Sequence, residues 1–214
     1  KLKRSGVNLL AGRAFIEHLH TFSFLELTED FNLEMQLGWG SLPAIFDLPT
    51  AKEKTQFLQA YAQTYLKEEI AAEQIVRKLG PFRKFLEVAA QSNGKIINYA
   101  NIARDVGVDD KTVKEYFNIL EDTLIGFYLE PFVNSFRKRL SQKPKFFFFD
   151  TGVVRSLKRM LSVPLHPSTS EYGDSFEHFI IGECIKLRDY YQSEFRFSYI
   201  QTKDEFEIDL VIER

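Results

Sequence analysis

Apolar side chains in this chain recur mainly at helical spacing and alternate with polar side chains only in short stretches. A long helix is predicted to begin after Thr50, because Glu53 three residues later completes a capping box. Its apolar positions continue at the helical period to about Arg77. Pro81 then opens another helix, and Gly94 is a natural C-terminal cap for it. The pattern predicts a helix-rich α+β chain.

Strands are predicted where apolar and polar positions alternate or where a short apolar run is bounded by turns. Alternation over residues 14–21 predicts a half-buried strand, and residues 125–132 and 145–149 predict a hairpin. The four phenylalanines at 146–149 favour a strand that is buried on both faces. Two closing strands are predicted within 195–202 and 205–213, and the second has one apolar face and one mostly acidic face.

The most legible stretch is a helix-turn-helix followed by the hairpin. Asn98 is predicted to cap a short helix, and Gly107 suits the tight turn because glycine tolerates backbone angles that other residues resist. Asp109 or Asp110 would cap a second helix. The apolar face predicted for this second helix consists of Val113, Phe117, Leu120 and Leu124. Helix, turn, helix and a basic-tipped hairpin are together typical of a winged helix.

This stretch has two interpretations, and the residues leave both open. In the first, the second helix and the hairpin tip contact DNA, since phosphate contacts depend on local positive charge. The predicted DNA-binding residues are Lys111, Thr112, Lys114 and Asn118 on the helix and Arg137, Lys138, Arg139 and Lys143 in the loop. In the second, the module docks on proteins and the basic loop is merely solvated. Asp109, Asp110 and Glu115 would repel phosphate and favour this alternative.

Composition narrows the class of protein. The 214 residues carry a net charge of −2, with 44% hydrophobic and 27% charged side chains, as expected of a globular protein. No apolar run approaches the ~20 residues of a membrane span, so no membrane partner is expected. The one cysteine, Cys184, excludes an internal disulfide and favours a cytoplasmic location, with a buried, inert thiol as the favoured interpretation.

Charge is uneven along the chain. No acidic residue occurs between Glu130 and Asp150, whereas residues 171–214 hold 5 basic and 11 acidic side chains. Within that acidic third, Glu177 is predicted to lie on a helix, and Asp209 on a strand face shared with Glu207. Carboxylates on adjacent elements can hold a divalent metal for phosphodiester hydrolysis if a lysine assists, which makes Glu177 and Asp209 candidate catalytic and metal-binding residues. A solvated, charged sheet face is the favoured alternative.

Histidine offers little further chemistry. His18 and His20 flank one residue, so on a strand their rings would share a face. Two ligands are too few for a specific metal site, and a structural or surface role is favoured. The chain has neither a G-x-x-x-x-G-K-[ST] nor a G-x-G-x-x-G loop, so no phosphate-binding loop of these types is present. It begins without methionine and stops within a predicted strand, and we therefore expect it to be part of a longer protein.

Several stretches resemble one family, the prokaryotic, archaeal-type predicted AAA-type ATPases with a C-terminal domain of unknown function. The resemblance runs over nearly the whole chain in family order. The matching stretches are KLKRSGVNLLAGRAFIEHLHTFSFLEL, GWGSLPAIF, YAQTYLKEEI, NYANIARDVGVDDKTVKEYFNILEDTLIGFYLEPF, PKFFFFDTGVVRSL, YGDSFEHFIIGE and TKDEFEIDLVIE.

The resemblance implies a division into four parts. Residues 1–35 would be the end of the ATPase module, 36–80 a helical connector, 81–150 a winged helix, and 151–214 the first part of a domain resembling restriction endonucleases and other PD-(D/E)XK nucleases. Arg13 would be a nucleotide- or interface-sensing residue, with a structural ion pair as the alternative. Glu177 and Asp209 match the nuclease-like helix glutamate and strand aspartate.

The chain also departs from the family pattern. It lacks the Walker motifs and the E-x-K strand, so neither ATP hydrolysis nor nuclease activity is claimed for it, and no cofactor is expected in it. ATP and Mg²⁺ would belong to the longer parent protein. We expect a DNA-engaging winged-helix and nuclease-like module of an ATP-dependent protein. The alternatives are a protein-interaction or homo-oligomerisation module, or a metal-dependent nuclease in the parent only.

Overall fold

The computed structural model describes residues 17–65, 79–133, 142–202 and 206–214. Within these ranges the chain is helix-rich and carries one four-stranded sheet, which confirms the predicted mixed α+β class. The α-helices are α1 (Phe24–Leu27), α2 (Leu33–Trp39), α3 (Ala51–Ala60), α4 (Leu79–Gln91), α5 (Tyr99–Val106), α6 (Asp110–Asp122), α7 (Thr151–Leu157) and α8 (Ser170–Tyr190). The strands are β1 (Gly126–Pro131), β2 (Lys145–Phe148), β3 (Arg196–Gln201) and β4 (Glu207–Glu213).

Local capping confirms several predicted helix starts. Thr50 and Glu53 form the reciprocal capping box ahead of α3, which passes into a π-helical turn at Tyr61–Tyr65. The predicted continuation of this helix over 66–77 lies outside the described residues. Asn98 caps α5 through the amide of Asn101. Each cap satisfies amides at a helix start that have no partner within the helix.

The sheet joins the predicted hairpin to the closing strands in the order β2-β1-β3-β4. β1 pairs antiparallel with β2, as the hairpin prediction requires, and its other edge pairs in parallel with β3 at Glu130–Ser198 and Pro131–Tyr199. β3 in turn pairs antiparallel with β4. The strands of the hairpin are therefore continuous with the acidic C-terminal strands.

Two apolar clusters lie on opposite faces of this sheet. The larger unites helices α3 to α7 with Phe146 and Phe148 of β2, and the smaller contains Leu129, Phe147, Ile181 and Tyr199. The phenylalanines of β2 alternate between the clusters, so the prediction of a strand buried on both faces is confirmed for Phe146, Phe147 and Phe148. Alternation places Lys145 on the same face as Phe147, beneath α8.

Three predicted local features are wrong. Of the strand predicted over 14–21, residues 14–16 lie outside the described residues and residues 17–21 form no strand. The hydrogen bonds here join His20 to Asp189 and Tyr190, and Thr21 to Ser41, rather than forming a ladder. Leu124 is 71% exposed, because α6 ends at Asp122 and Leu124 turns into the left-handed region at φ 61°. The predicted division of β4 into one apolar and one acidic face is not kept, because Leu210 packs against the smaller apolar cluster whereas Ile208 and Ile212 are exposed.

Candidate functional site

A carboxylate-lined cleft opens where β2, α8 and β4 meet. Its volume is about 300 Å³. Its lining residues are Asn93, Gly94, Lys95, Ile96, Lys145, Asp174, Glu177, Gln201, Glu207 and Asp209. The structure thus brings together both predicted catalytic residues, Glu177 and Asp209, with Glu207 beside them.

Lys145 is the centre of this cleft. Its Nζ lies 3.0 Å from Glu177 Oε1, 2.6 Å from Glu207 Oε1 and 3.4 Å from Asp209 Oδ1. The lysine side chain is only 3% exposed, whereas Asp209 is more than half exposed. The acidic residues therefore surround one enclosed ammonium group and reach outward from it to solvent. The arrangement differs from the predicted solvated sheet face, because each of these carboxylates has an ion-pair partner.

A β-bulge in β4 interrupts the alternation of side chains at Asp209 and Leu210. Ser198 pairs with Val211 and Ile200 with Ile208, so Asp209 and Leu210 together oppose Tyr199. An extra residue at such a point bends the strand and re-aims its side chains. Asp209 reaches Lys145, while Leu210 packs beside the smaller apolar cluster. The bulge is the physical reason why simple alternation along β4 does not give one apolar face and one acidic face.

Electrostatics in the cleft follow from burial and pairing. Burial alone would lower the pKa of Lys145, but hydrogen bonds to Glu207 and Glu177 outweigh it, and the pKa is raised. Burial raises the pKa of Glu177, and the bond from Lys145 opposes that change only in part. Burial also raises the pKa of the Tyr199 hydroxyl to about 12. Lys145 therefore stays charged at neutral pH.

The metal that Glu177 and Asp209 were predicted to hold does not fit this donor set. Across the described ranges, no group of three or more His, Cys, Asp or Glu side chains is arranged to hold a metal ion. The carboxylates converge on an ammonium group instead, with nitrogen–oxygen distances of 2.6 to 3.4 Å.

The helix-turn-helix lies on the opposite side of the sheet. Gly107 ends α5 in the left-handed conformation at φ 85°, and Asp109 caps α6 by accepting from the Thr112 amide at 2.8 Å. Hydrogen bonds from Thr112 lower the pKa of Asp109. The buried face of α6 holds Val113, Tyr116, Phe117 and Leu120. The predicted caps and three of the four predicted apolar positions are thus confirmed.

The predicted DNA-contact residues fall into three groups. Lys111 and Lys114 are exposed on α6, and Lys143 is exposed just before β2. Thr112 and Asn118 have partners within the fold: the Thr112 hydroxyl donates to Asp109, and Asn118 Oδ1 accepts from Tyr128. Arg137, Lys138 and Arg139 lie outside the described residues, as does Arg13, the predicted nucleotide- or interface-sensing residue. The two exposed lysines of α6 are therefore the clearest candidates for phosphate contacts on this helix.

The remaining histidine and cysteine predictions concern the flank of α8. The rings of His18 and His20 stack at 6.3 Å, and His20 Nε2 lies 2.9 Å from Asp189 Oδ2. Burial lowers the pKa of His20 despite that carboxylate. This placement agrees with the structural or surface role favoured for the pair. Cys184 is half-buried rather than fully buried, and burial raises its pKa, as expected of an unreactive thiol.

The sequence places Lys145 only at the start of a predicted strand, within the segment between Glu130 and Asp150 that holds no acidic residue. Lys145 lies 32 residues before Glu177 and 64 before Asp209, so no local spacing links them. One signal was available: Lys145 opens a strand predicted to be buried on both faces, and a buried lysine needs a charged partner.

A second buried polar cluster was also missed. Lys186 Nζ donates to Glu183 Oε1 and to Phe22 O, each at 2.8 Å, and to Ser41 Oγ at 3.2 Å. The amide of Ser41 donates to Asp150 Oδ2 at 2.7 Å. This cluster fastens the segment around residues 22–41 to α8 and to the start of α7.

Comparison with known proteins gives a family but no activity. The model of the domain of unknown function DUF8612 matches residues 30–163. The uncharacterized proteins Mb2031c of Mycobacterium bovis and Rv2008c of Mycobacterium tuberculosis are each 24% identical over 177 residues, covering 81% of this chain and 38% of their own length. The chain thus spans about two fifths of the curated relatives it matches. No solved structure matches it. In the described part of the chain, no helix is long and apolar enough to cross a membrane.

Proposed function

We propose that this chain, which belongs to the DUF8612 family of domains of unknown function, is a DNA-engaging winged-helix module of a longer ATP-dependent protein. The geometry of the chain itself supports this proposal. The observation that carries the proposal is the helix-turn-helix of α5 and α6 followed directly by the β1–β2 hairpin. Its nuclease-like character and its link to ATP rest on the family resemblance alone.

The order of elements supports a winged helix. α4 precedes a short bridge in which Ile96 pairs with Lys145, and α5, α6, β1 and β2 follow. The bridge adds Ile96 beside β2 of the hairpin. Phe117 of α6 packs against Phe146 of β2 with ring centroids 4.9 Å apart, so helix and hairpin are held as one unit. Such a unit can present its second helix to a DNA groove.

Two lysines on the exposed side of α6 are suited to phosphate contact. Lys111 and Lys114 are three residues apart and both exposed, so they lie on one side of the helix. Further along the sequence, Lys143 and the other basic residues between β1 and β2 add positive charge to the hairpin segment. Asp110 and Glu115 are also exposed beside the lysines of α6 and oppose phosphate contact. Asp109 caps the helix, so its placement is explained by helix stability.

The test is a fluorescence-anisotropy titration of labelled duplex DNA at two salt concentrations. Binding should weaken as salt rises, because phosphate contacts release counterions. The double variant Lys111→Ala/Lys114→Ala should bind more weakly, and the slope of log affinity against log salt should become shallower by about 0.9 for each lost phosphate contact.

The matched control is Lys52→Ala/Lys84→Ala, which removes the same charge from exposed positions on α3 and α4. Its affinity should stay near that of the wild type. Equal losses in the two double variants would reduce the effect to general electrostatics and overturn the role of α6. A wild-type protein that binds no duplex at low salt would overturn the DNA proposal as a whole.

A protein-interaction or homo-oligomerisation module is the second candidate. The outer side of α8 exposes Phe176 (42%) and Ile180 (39%), and Phe179 beside them stacks on Phe31 with centroids 6.0 Å apart. Exposed apolar groups of this kind are typical of contact surfaces. Analytical ultracentrifugation of the same wild-type sample distinguishes the two candidate functions. Self-association without DNA binding favours the protein-interaction or homo-oligomerisation module.

A further inference from the structure

The ammonium group of Lys145 occupies the position toward which the cleft carboxylates converge. We propose that Lys145 is the resident cation of this cleft: it takes the place of a divalent metal, and its removal turns the cleft into a divalent-metal site. The inference is independent of the proposed DNA binding. The carboxylates predicted to hold a metal contact Lys145 instead.

The geometry is that of a cation with its ligands. Three carboxylates from two elements approach one nitrogen atom, Glu177 from α8 and Glu207 and Asp209 from β4, at 2.6 to 3.4 Å. A metal at the same point would require oxygen distances of about 2.0–2.6 Å. Shifts of up to about 1.4 Å in these side chains would supply them. As they stand, these carboxylates are not arranged as metal ligands, so they must close in on a small hard cation once the ammonium group is absent.

Charge supports the same assignment. Glu177, Glu207 and Asp209 carry three negative charges around one lysine, and Asp174 also lines the cleft. Removing the lysine would leave these carboxylates facing each other at close range without a counter-charge. Such a cluster must then bind protons or another cation, because like charges at this separation repel strongly.

The fold holds Lys145 in place. Its backbone lies in β2 opposite Leu129 of β1 and forms a bridge to Ile96, and the next residues, Phe146 and Phe147, are anchored in the two apolar clusters. The ammonium group also lies 5.5 Å from the centre of the Tyr199 ring. With 3% of its side chain exposed, Lys145 is enclosed by these contacts.

Mn²⁺ binding, measured by the loss of the free-ion signal in electron paramagnetic resonance, tests the proposal. The wild type should show no saturable site below about 1 mM, whereas Lys145→Met should gain one with a dissociation constant at least about tenfold lower. Lys143→Met, which neutralises an exposed neighbour on the same segment, should behave as the wild type. Adding Asp209→Asn to Lys145→Met should remove the gained site.

Two results would overturn the proposal. One is a wild-type protein that binds Mn²⁺ as tightly as Lys145→Met, which would favour the metal-dependent nuclease alternative. The other is a folded Lys145→Met variant that gains no site. If Lys145→Met is unfolded without metal, circular dichroism during Mn²⁺ titration decides the matter, because a metal that binds only the folded state restores folding. Failure of metal to restore it would also count against the proposal.

Discussion

The two sides of the central sheet are built on different principles. On the side of the helix-turn-helix, helices α4 to α6 bury phenylalanines and aliphatic residues and leave their charges in solvent. On the side of α8, the apolar cluster is small, and buried polar side chains such as Lys186, Glu183 and His178 lie alongside exposed apolar ones. The side of the helix-turn-helix is therefore stabilised mainly by packing, whereas the side of α8 depends on specific polar pairs.

The largest effect is expected from the packed side. Phe117 is 1% exposed, and its ring centroid lies 4.9 Å from those of both Phe85 and Phe146. Phe117→Ala should lower the free energy of unfolding by about 4 kcal/mol, because it removes buried surface and leaves a cavity. Chemical denaturation measures the change. Phe206→Ala is the control, since Phe206 is 60% exposed and should change stability by about 0.5 kcal/mol or less. Similar losses from both would contradict the comparison.

A somewhat smaller loss of stability is expected when a buried polar pair on the side of α8 is removed. Lys186→Met removes the partner of Glu183 and the donor to Phe22 O and Ser41 Oγ. We expect a loss of about 3 kcal/mol in the free energy of unfolding, because a buried carboxylate is left without its counter-charge. Chemical denaturation of the variant measures the loss.

The control for this variant separates pairing from packing. Lys186→Met/Glu183→Leu removes both charges and should recover part of the stability, since a buried pair can be replaced by apolar side chains at little cost. Lys84→Met, at an exposed position, should change little. Glu183 Oε2 also accepts from the Phe24 amide at 2.9 Å, and the double variant loses that bond as well. If the double variant is no more stable than Lys186→Met, the loss comes from these bonds to Phe22 O, Ser41 and the Phe24 amide rather than from an unpaired charge.

This difference also explains what could be predicted from the sequence. Periodicity and caps are local signals, so the starts of α3, α5 and α6 and the buried positions Val113, Phe117 and Leu120 follow from the residues themselves. The hairpin follows in the same way, because each strand alternates or is uniformly apolar over a short run.

The candidate cleft could be predicted only in part. Glu177, Glu207 and Asp209 are correctly placed on a helix and on one side of a strand, but the lysine they share comes from a strand far away in sequence. The sheet order β2-β1-β3-β4 brings these groups together, and the bulge in β4 adds Leu210 to the same side. Neither pairing order nor a bulge leaves a periodic signal in a single sequence.

The smallest of the three effects concerns a buried histidine on the polar side. The Nε2–H group of His178 donates to Phe148 O at 2.6 Å, and Nδ1 accepts from Asn93 Nδ2 at 3.3 Å. The Asn93 amide is oriented by Phe148 N, which donates to its Oδ1 at 2.8 Å. Burial lowers the pKa of His178 to about 4. The imidazole is therefore neutral in the folded protein at pH 7.

Because the pKa in the folded state lies below the value of 6.5 for an unperturbed histidine, the unfolded chain binds the extra proton first as pH falls. The stability that neutral His178 contributes is fully present above pH 6.5 and is lost toward pH 4. Between pH 7 and pH 5 the free energy of unfolding should fall by about 2 kcal/mol from this group alone. His178→Gln should flatten that part of the pH profile, and His166→Gln, at an exposed loop position, should leave it unchanged. Equal pH profiles for His178→Gln and the wild type would assign the acid sensitivity to other groups. The side of α8 would then show no dependence on this buried polar group, in contrast to the comparison above.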